Sequence, residues 1–271
     1  MISENIQGRA LCIIAVRYYL TSEQFEKRIT QIDQSFRRKF EIINVLSYDL
    51  EGAASSSGAR AYPGQKVEGQ WLDMSGFKMS ISDQPDTDAY LYLNDTLFTK
   101  HPAAFFTSRL CSLSPLIASL DDAAIGGEID PSTDVVFDEL NQRVSMHAST
   151  YFFLLNKKAN EILCDILNHL PDNDSYDYWI NSQYRTYPRL KNILNICLNS
   201  PDNPWSWGGV GRLKSAELHK RKSVTIAVEH ILSARIIMEG GYLVPINYGL
   251  NSKIMRWFNT GVNWLRSFFI R

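Results

Sequence analysis

After Glu239 the chain carries no acidic residue, although Lys253, Arg256, Arg266 and Arg271 all follow. It also has no apolar run near the roughly 18 residues that would cross a bilayer, so any membrane contact is expected to be peripheral. Cysteine is scarce. Cys12, Cys111, Cys164 and Cys197 stand far apart, without the paired spacing of a zinc site or redox motif, and read as buried free thiols of a reducing compartment. Near the start, Glu4 precedes ALCIIAV, which at seven residues is too short and too poorly flanked for a signal peptide. The expected location is cytoplasmic. Internal repeats are missing, and a net charge of −1 gives no general attraction to nucleic acid.

What the chain does have is core-forming material: 271 residues, 45% of them apolar and 12% aromatic, enough for one large α/β domain or two small ones. The first fifty residues predict strand, helix, strand. ALCIIAV (10–16) leads into a helix with Phe25, Ile29, Ile32 and Phe36 on one face and Thr21 or Ser22 as its cap, and EIINVLSYD (41–49) follows. Such a β-α-β unit implies parallel strands, with ligands bound beyond their carboxyl ends near Arg17 and Asp49. Further strands are predicted at AYLYLND (89–95) and STYFFLLN (149–156), the latter before a helix, KKANEILCDILNHL. GAASSSGARAYPG (52–64) is either a lid or a surface loop. Residues 172–222, rich in Asn, Tyr, Trp and Pro, are expected to wrap over the sheet. A helix over 228–239 then ends at Gly240-Gly241, before a β-rich run from Tyr242 to Ile246.

Polar residues collect at the predicted strand ends: Asp49, then Asn94 with Asp95. Carboxylates there can accept hydrogen bonds from a nucleoside or hold a cation against a diphosphate, and they can equally begin turns. His147, just before an apolar strand, is either a ligand for acceptor or phosphate or a structural histidine. The basic group Arg212, Lys214, Lys220, Arg221 and Lys222 could neutralise a leaving diphosphate or simply face solvent. Trp205 and Trp207, in NPWSWGG, offer ring faces to a sugar or to the core. Glu229 stands at the predicted start of a helix otherwise built for burial, where the helix dipole would favour an acid.

VEHILSARIIMEGGYLVPI (228–246) resembles the helix and following strand of inverting GT-A glycosyltransferases of the large family 2 group: an acidic pair, Leu-Ser, an Arg, and Gly-Tyr leading into a strand. Aligning Leu232-Ser233 and Arg235 puts Glu229 on the second acid, the family's catalytic base. Val228 replaces the first acid, and Gly241-Tyr242 falls one residue late. YLYLNDTLF and HASTYFFLLNKKA are similar to segments of rhamnan-synthesis-like bacterial polysaccharide glycosyltransferases. The resemblance implies a GT-A-like α/β fold, a Rossmann-type mixed sheet with flanking helices. It also implies a nucleotide-sugar donor, and a glycan or lipid-linked acceptor in O-antigen or capsule synthesis. Glu229 would be the base, Arg17, Asp49, Asn94 and Asp95 would meet the donor, and His147, Trp205, Trp207 and Arg235 would serve acceptor or phosphate. A Mn or Mg ion would sit at Asp95, where Asn94-Asp95-Thr96 replaces the usual Asp-x-Asp.

The last segment, SKIMRWFNTGVNWLRSFFIR, places Ile254, Trp257, Phe258, Leu265 and Phe268 along one helical stripe. A basic amphipathic helix of this kind suits a membrane surface, and it would equally dock on the domain or a second subunit. The expected division is therefore a GT-A-like domain over 1–250 and a membrane-surface helix over 251–271. A non-catalytic membrane-peripheral scaffold with a degenerate transferase fold is the alternative, and nucleotidyl transfer is a third.

Overall fold

The computed structural model describes residues 8–50, 64–137, 142–199 and 216–247. Strand β1 (Ala10–Arg17) has no polar face. Leu11 through Val16 are all buried, as both-sided burial in a parallel sheet requires. Helix α1 (Ser22–Phe36) starts at a Thr21 capping box with Gln24 and packs Phe25, Ile29, Ile32 and Phe36 inward, as its spacing predicts. Next come β2 (Ile42–Leu50), β3 (Gln65–Val67), α2 (Asp73–Ser80), β4 (Ala89–Asn94), α3 (Thr96–Lys100) and α4 (Ala103–Ser119). The second half contains β5 (Ala124–Phe137), β6 (Gln142–Asn156), α5 (Lys157–Asn168), α6 (Tyr176–Thr186), α7 (Leu190–Asn199), α8 (Ala216–Met238) and β7 (Tyr242–Pro245).

The strands form one mixed sheet in the order β3-β2-β1-β4-β6-β5-β7. Strands β1 to β4 run parallel, β6 is antiparallel to both neighbours, and β7 is parallel to β5. Alternate side chains feed two cores. Tyr92 and Phe153 point to the face covered by α2, α5, α6, α7 and α8, whereas Leu91, Leu93 and Phe152 point to the face covered by α1 and α4. Tyr92 and Phe153 are register partners with rings 5.1 Å apart and nearly parallel, and Phe77 meets both edge-on. The Tyr92 hydroxyl donates to Asn160 Oδ1 at 2.6 Å, which satisfies the one polar atom in this aromatic block.

Several elements differ from the sequence expectation. Residues 172–222 hold α6, α7 and the first turns of α8 in place of an irregular wrap. The closing helix begins at Ala216, so Glu229 lies in its middle and the helix dipole gives no reason for an acid there. Lys220, Arg221 and Lys222 belong to α8 itself. Of the four free thiols only Cys12 is buried, and burial pushes it up to about 12; Cys111, Cys164 and Cys197 are partly exposed. The serine-rich stretch (apart from Gly64), Trp205, Trp207, Arg212, Lys214 and the terminal segment 251–271 lie outside the described residues. Among the described residues, no helix is long and apolar enough to cross a membrane.

Phe153→Ala empties the centre of the aromatic block and should cost about 3–5 kcal/mol. Urea unfolding should show a lower midpoint with an unchanged slope.

Candidate functional site

The parallel strands end in a set of charged groups that are nearly all tied to one another. Arg17 and Asp49 are register partners at the ends of β1 and β2. The Arg17 guanidinium grips the carboxylate with two bonds of 2.8 Å, Nε to Oδ1 and Nη2 to Oδ2, and Nη1 donates to the Leu20 carbonyl at 2.9 Å. Beyond Arg17 the chain turns so that the N–H groups of Tyr18, Tyr19 and Leu20 all donate to Asp95 Oδ2. Asp95 is 1% exposed. Burial raises its carboxyl, while the three backbone donors and Arg17 pull it back. It thus clasps the end of β1 to the end of β4.

Asn94, one residue earlier, donates from Nδ2 to Asp73 Oδ2 at 2.6 Å and accepts from the Thr96 N–H at 3.0 Å. Asp73 opens α2 directly after Leu72, the one described non-glycine residue with positive φ, at 55°. Such strained backbone persists only where its surroundings hold it. Here α2 is held close to β1, because Gly76 faces Val16 so tightly that a Cβ would come within 2.6 Å of its Cγ2. Burial pushes the Asp73 carboxyl up to about 6; Lys222 lowers it, Glu229 raises it, and the Asn94 amide lowers it.

Lys222 and Glu229 lie seven residues apart on α8, hence on nearly the same face two turns apart, roughly 10 Å along the axis. From Ser223 to Ala234 every residue of α8 is buried except Glu229. Its Oε1 accepts from the Thr150 N–H at 2.9 Å and from the Thr150 hydroxyl at 2.8 Å. Thr150 is available because β6 is bulged: Gly127 pairs with Phe153, and two residues later Ile129 pairs with Ala148, five residues earlier in β6. Three extra residues are therefore packed opposite Glu128, re-aiming side chains as bulges beside functional sites do. Thr150 goes to α8. Tyr151 goes to the other face, where its hydroxyl donates to Glu128 and its ring stacks on His101 at 3.8 Å.

The structure thus brings Glu229, Asn94 and Asp95 to the strand-end region that Arg17 and Asp49 also occupy. His147 stacks on His230, the residue after Glu229, with ring centroids 4.1 Å apart, and among the described residues the Nδ1 atoms of both are buried without a hydrogen-bond partner. Burial, reinforced by His147, holds His230 well below the usual histidine range. Arg235 is not part of the group. It pairs with Asp165 on α5 and lies within 3.7 Å of Glu239. Asp73, Thr150 and the specific use of Lys222 are absent from the sequence reading; the only local signals are an acid and a glycine three residues apart in LDMSGF. Among the described residues, no group of three or more His, Cys, Asp or Glu side chains is placed to hold a metal ion. The set Asp73, Glu229, Lys222 and Asn94 supplies one carboxylate titrating near pH 6, a second oriented by two donors, and an ammonium beside them.

Because Asp73 holds its proton more tightly folded than unfolded, its ionisation opposes folding as pH rises from about 4 to about 6. The penalty stays constant above that range. At roughly 1.4 kcal/mol per pKa unit, Asp73→Asn should be more stable than the native chain by up to about 3 kcal/mol at pH 7.5. The difference should shrink toward zero at pH 4 in urea titrations at both pH values.

The chain matches none of the family models, curated proteins or solved structures with which it was compared.

Proposed function

We propose that the chain is a GT-A-like glycosyltransferase that moves a sugar from a nucleotide-sugar donor to a glycan or lipid-linked acceptor. The setting that fits its resemblances is bacterial surface polysaccharide synthesis, O-antigen or capsule, at the cytoplasmic face of the membrane. The observation that carries this reading is Glu229, the single partly exposed residue in a buried stretch of α8, oriented by Thr150 toward the ends of the parallel strands.

In the transfer, the acceptor hydroxyl attacks the anomeric carbon as the bond to the diphosphate breaks. The diphosphate keeps the electron pair, and Glu229 takes the proton. Lys222 meets the negative charge that builds on the leaving group. Asp73, held by Asn94, accepts hydrogen bonds from the donor sugar. The Arg17–Asp49 pair forms the floor on the nucleoside side, and His147 borders the acceptor side. A Mn or Mg ion at Asp95 fits poorly, since Oδ2 already receives three backbone N–H groups. The basic segment 251–271 would bring the enzyme to the lipid surface.

A second reading, a non-catalytic membrane-peripheral scaffold, draws support from the same ties: the acids at Asp49 and Asp95 are committed to bonds inside the protein. Donor turnover separates the two. A thermal-shift screen of uridine, thymidine, guanosine and cytidine diphosphates and their sugars should give one clear responder, stabilised by about 2.7 kcal/mol at 100 times its Kd. Glu229→Gln should keep that shift and lose about 10²–10⁴-fold in transfer rate. No response from any nucleotide, or full transfer by Glu229→Gln, would sink the enzymatic assignment of this residue.

A further inference from the structure

A cavity of about 490 Å³ opens between α6, α7 and the start of α8, away from the strand ends. Its volume suits a small ligand. Tyr184 supplies a ring face, whereas the Tyr176 ring is taken up by Trp71 and by the Lys220 ammonium 5.2 Å from its centroid; Asn192, Asn195 and Asn199 line the cavity from α7, with His219 on α8 opposite. The three asparagines fall at spacings of three and four, so they form one amide stripe along a single face of the helix. All three asparagines are exposed on the solvent side of the helix.

The chemistry of the lining is specific. A primary amide offers two donors and an acceptor, and a tyrosine ring offers a flat apolar face with a polar tip. No carboxylate lines the cavity among the described residues, Lys191 adds one cation, and Asn199 is engaged twice, its Oδ1 with His219 at 3.1 Å and its Nδ2 donating to Asn195 Oδ1 at 3.0 Å. Tyr176 also contacts sequence neighbours of the candidate-site residues. Tyr176 stacks on Trp71, two residues before Asp73, and its hydroxyl shares a 2.6 Å bond with Ser223, which follows Lys222.

We propose that this cavity binds a hydroxyl-rich pyranose unit of a saccharide, its ring against Tyr184 and its hydroxyls on the asparagine stripe. That this saccharide is the acceptor glycan rests on the glycosyltransferase reading above; saccharide binding itself does not. The test uses the full chain and a panel of neutral tri- to pentasaccharides built from glucose, galactose, mannose, rhamnose and N-acetylglucosamine, followed by saturation-transfer NMR and calorimetry. At least one should bind. Asn192→Ala with Asn195→Ala, which replaces two exposed amides by a better helix former, should weaken that binding at least tenfold while leaving the nucleoside-diphosphate thermal shift unchanged. Tyr184→Ala alone should act in the same direction. Saccharide binding that survives the double variant, or no binding across the panel, overturns the proposal. A missing nucleotide shift with saccharide binding intact overturns the transferase reading and leaves the cavity assignment standing.

Discussion

Three extra residues in β6, opposite a single position of β5, set the geometry on which the candidate site depends. A regular antiparallel ladder would alternate Ser149, Thr150, Tyr151 and Phe152 between the two faces, one step at a time against β5. The bulge frees this stretch from β5 while Phe152 stays paired to Leu93 of β4. Thr150 can then give both its N–H and its hydroxyl to one carboxylate oxygen of Glu229, and Tyr151 can reach Glu128 on the opposite face. Ser233 locks the arrangement from α8, accepting from the Ala148 N–H at 2.9 Å while donating to the Glu229 carbonyl. Sheet and helix are thereby fixed in register at the place where the acid must point.

The buried carboxylates at the strand ends are stabilised in different ways, and the differences indicate what each is for. Asp49 has a bidentate guanidinium, the geometry that best compensates desolvation. Asp95 has three backbone N–H groups converging on one oxygen. Asp73 has the Lys222 charge, the Asn94 amide and a backbone N–H on its side, and burial outweighs them, so its carboxyl is pushed up to about 6. A carboxylate whose oxygens are taken up by several internal donors is a structural tie, even where, as at Asp95, burial still leaves its carboxyl raised. An undercompensated one, next to a second carboxylate and a lysine, stays responsive to a ligand that brings its own charge or donors.

What could be read from the sequence follows from where the information lies. Strands β1 and β4, helices α1 and α5 and the second half of β6 carry their burial pattern in consecutive residues, so periodicity finds them. Strand β5 hides because IGGEIDP contains residues that usually mark turns. Yet Gly126 is there for contact, since a Cβ would lie 2.3 Å from Ile117 of α4. The first half of α8 hides because its Lys, Arg, Ser and Thr residues look like loop, although Ser223 and Thr225 are buried and bond Lys220 and Arg221 carbonyls in the preceding turn. Glu229, Asn94 and Asp95 were visible as acids and amides in apolar company. Asp73 was not, because its partners at 94, 222 and 229 are assembled only by the sheet and by the close approach of α2 to β1.

Helix α8 links these features. A helix buried on nearly every side has no solvent-facing stripe to account for its charges. From Ser223 to Ala234 only Glu229 breaks that burial, and Lys222 stands at the edge of the run, two turns back on the same face. Lys222 and Glu229 both act on Asp73, the ammonium lowering its carboxyl and the carboxylate raising it. Ser223, one residue on, turns instead toward Tyr176 and the amide-lined cavity. Helix α8 therefore borders both regions, through Lys222 and Glu229 at the candidate site and through His219 and Ser223 at the amide-lined cavity.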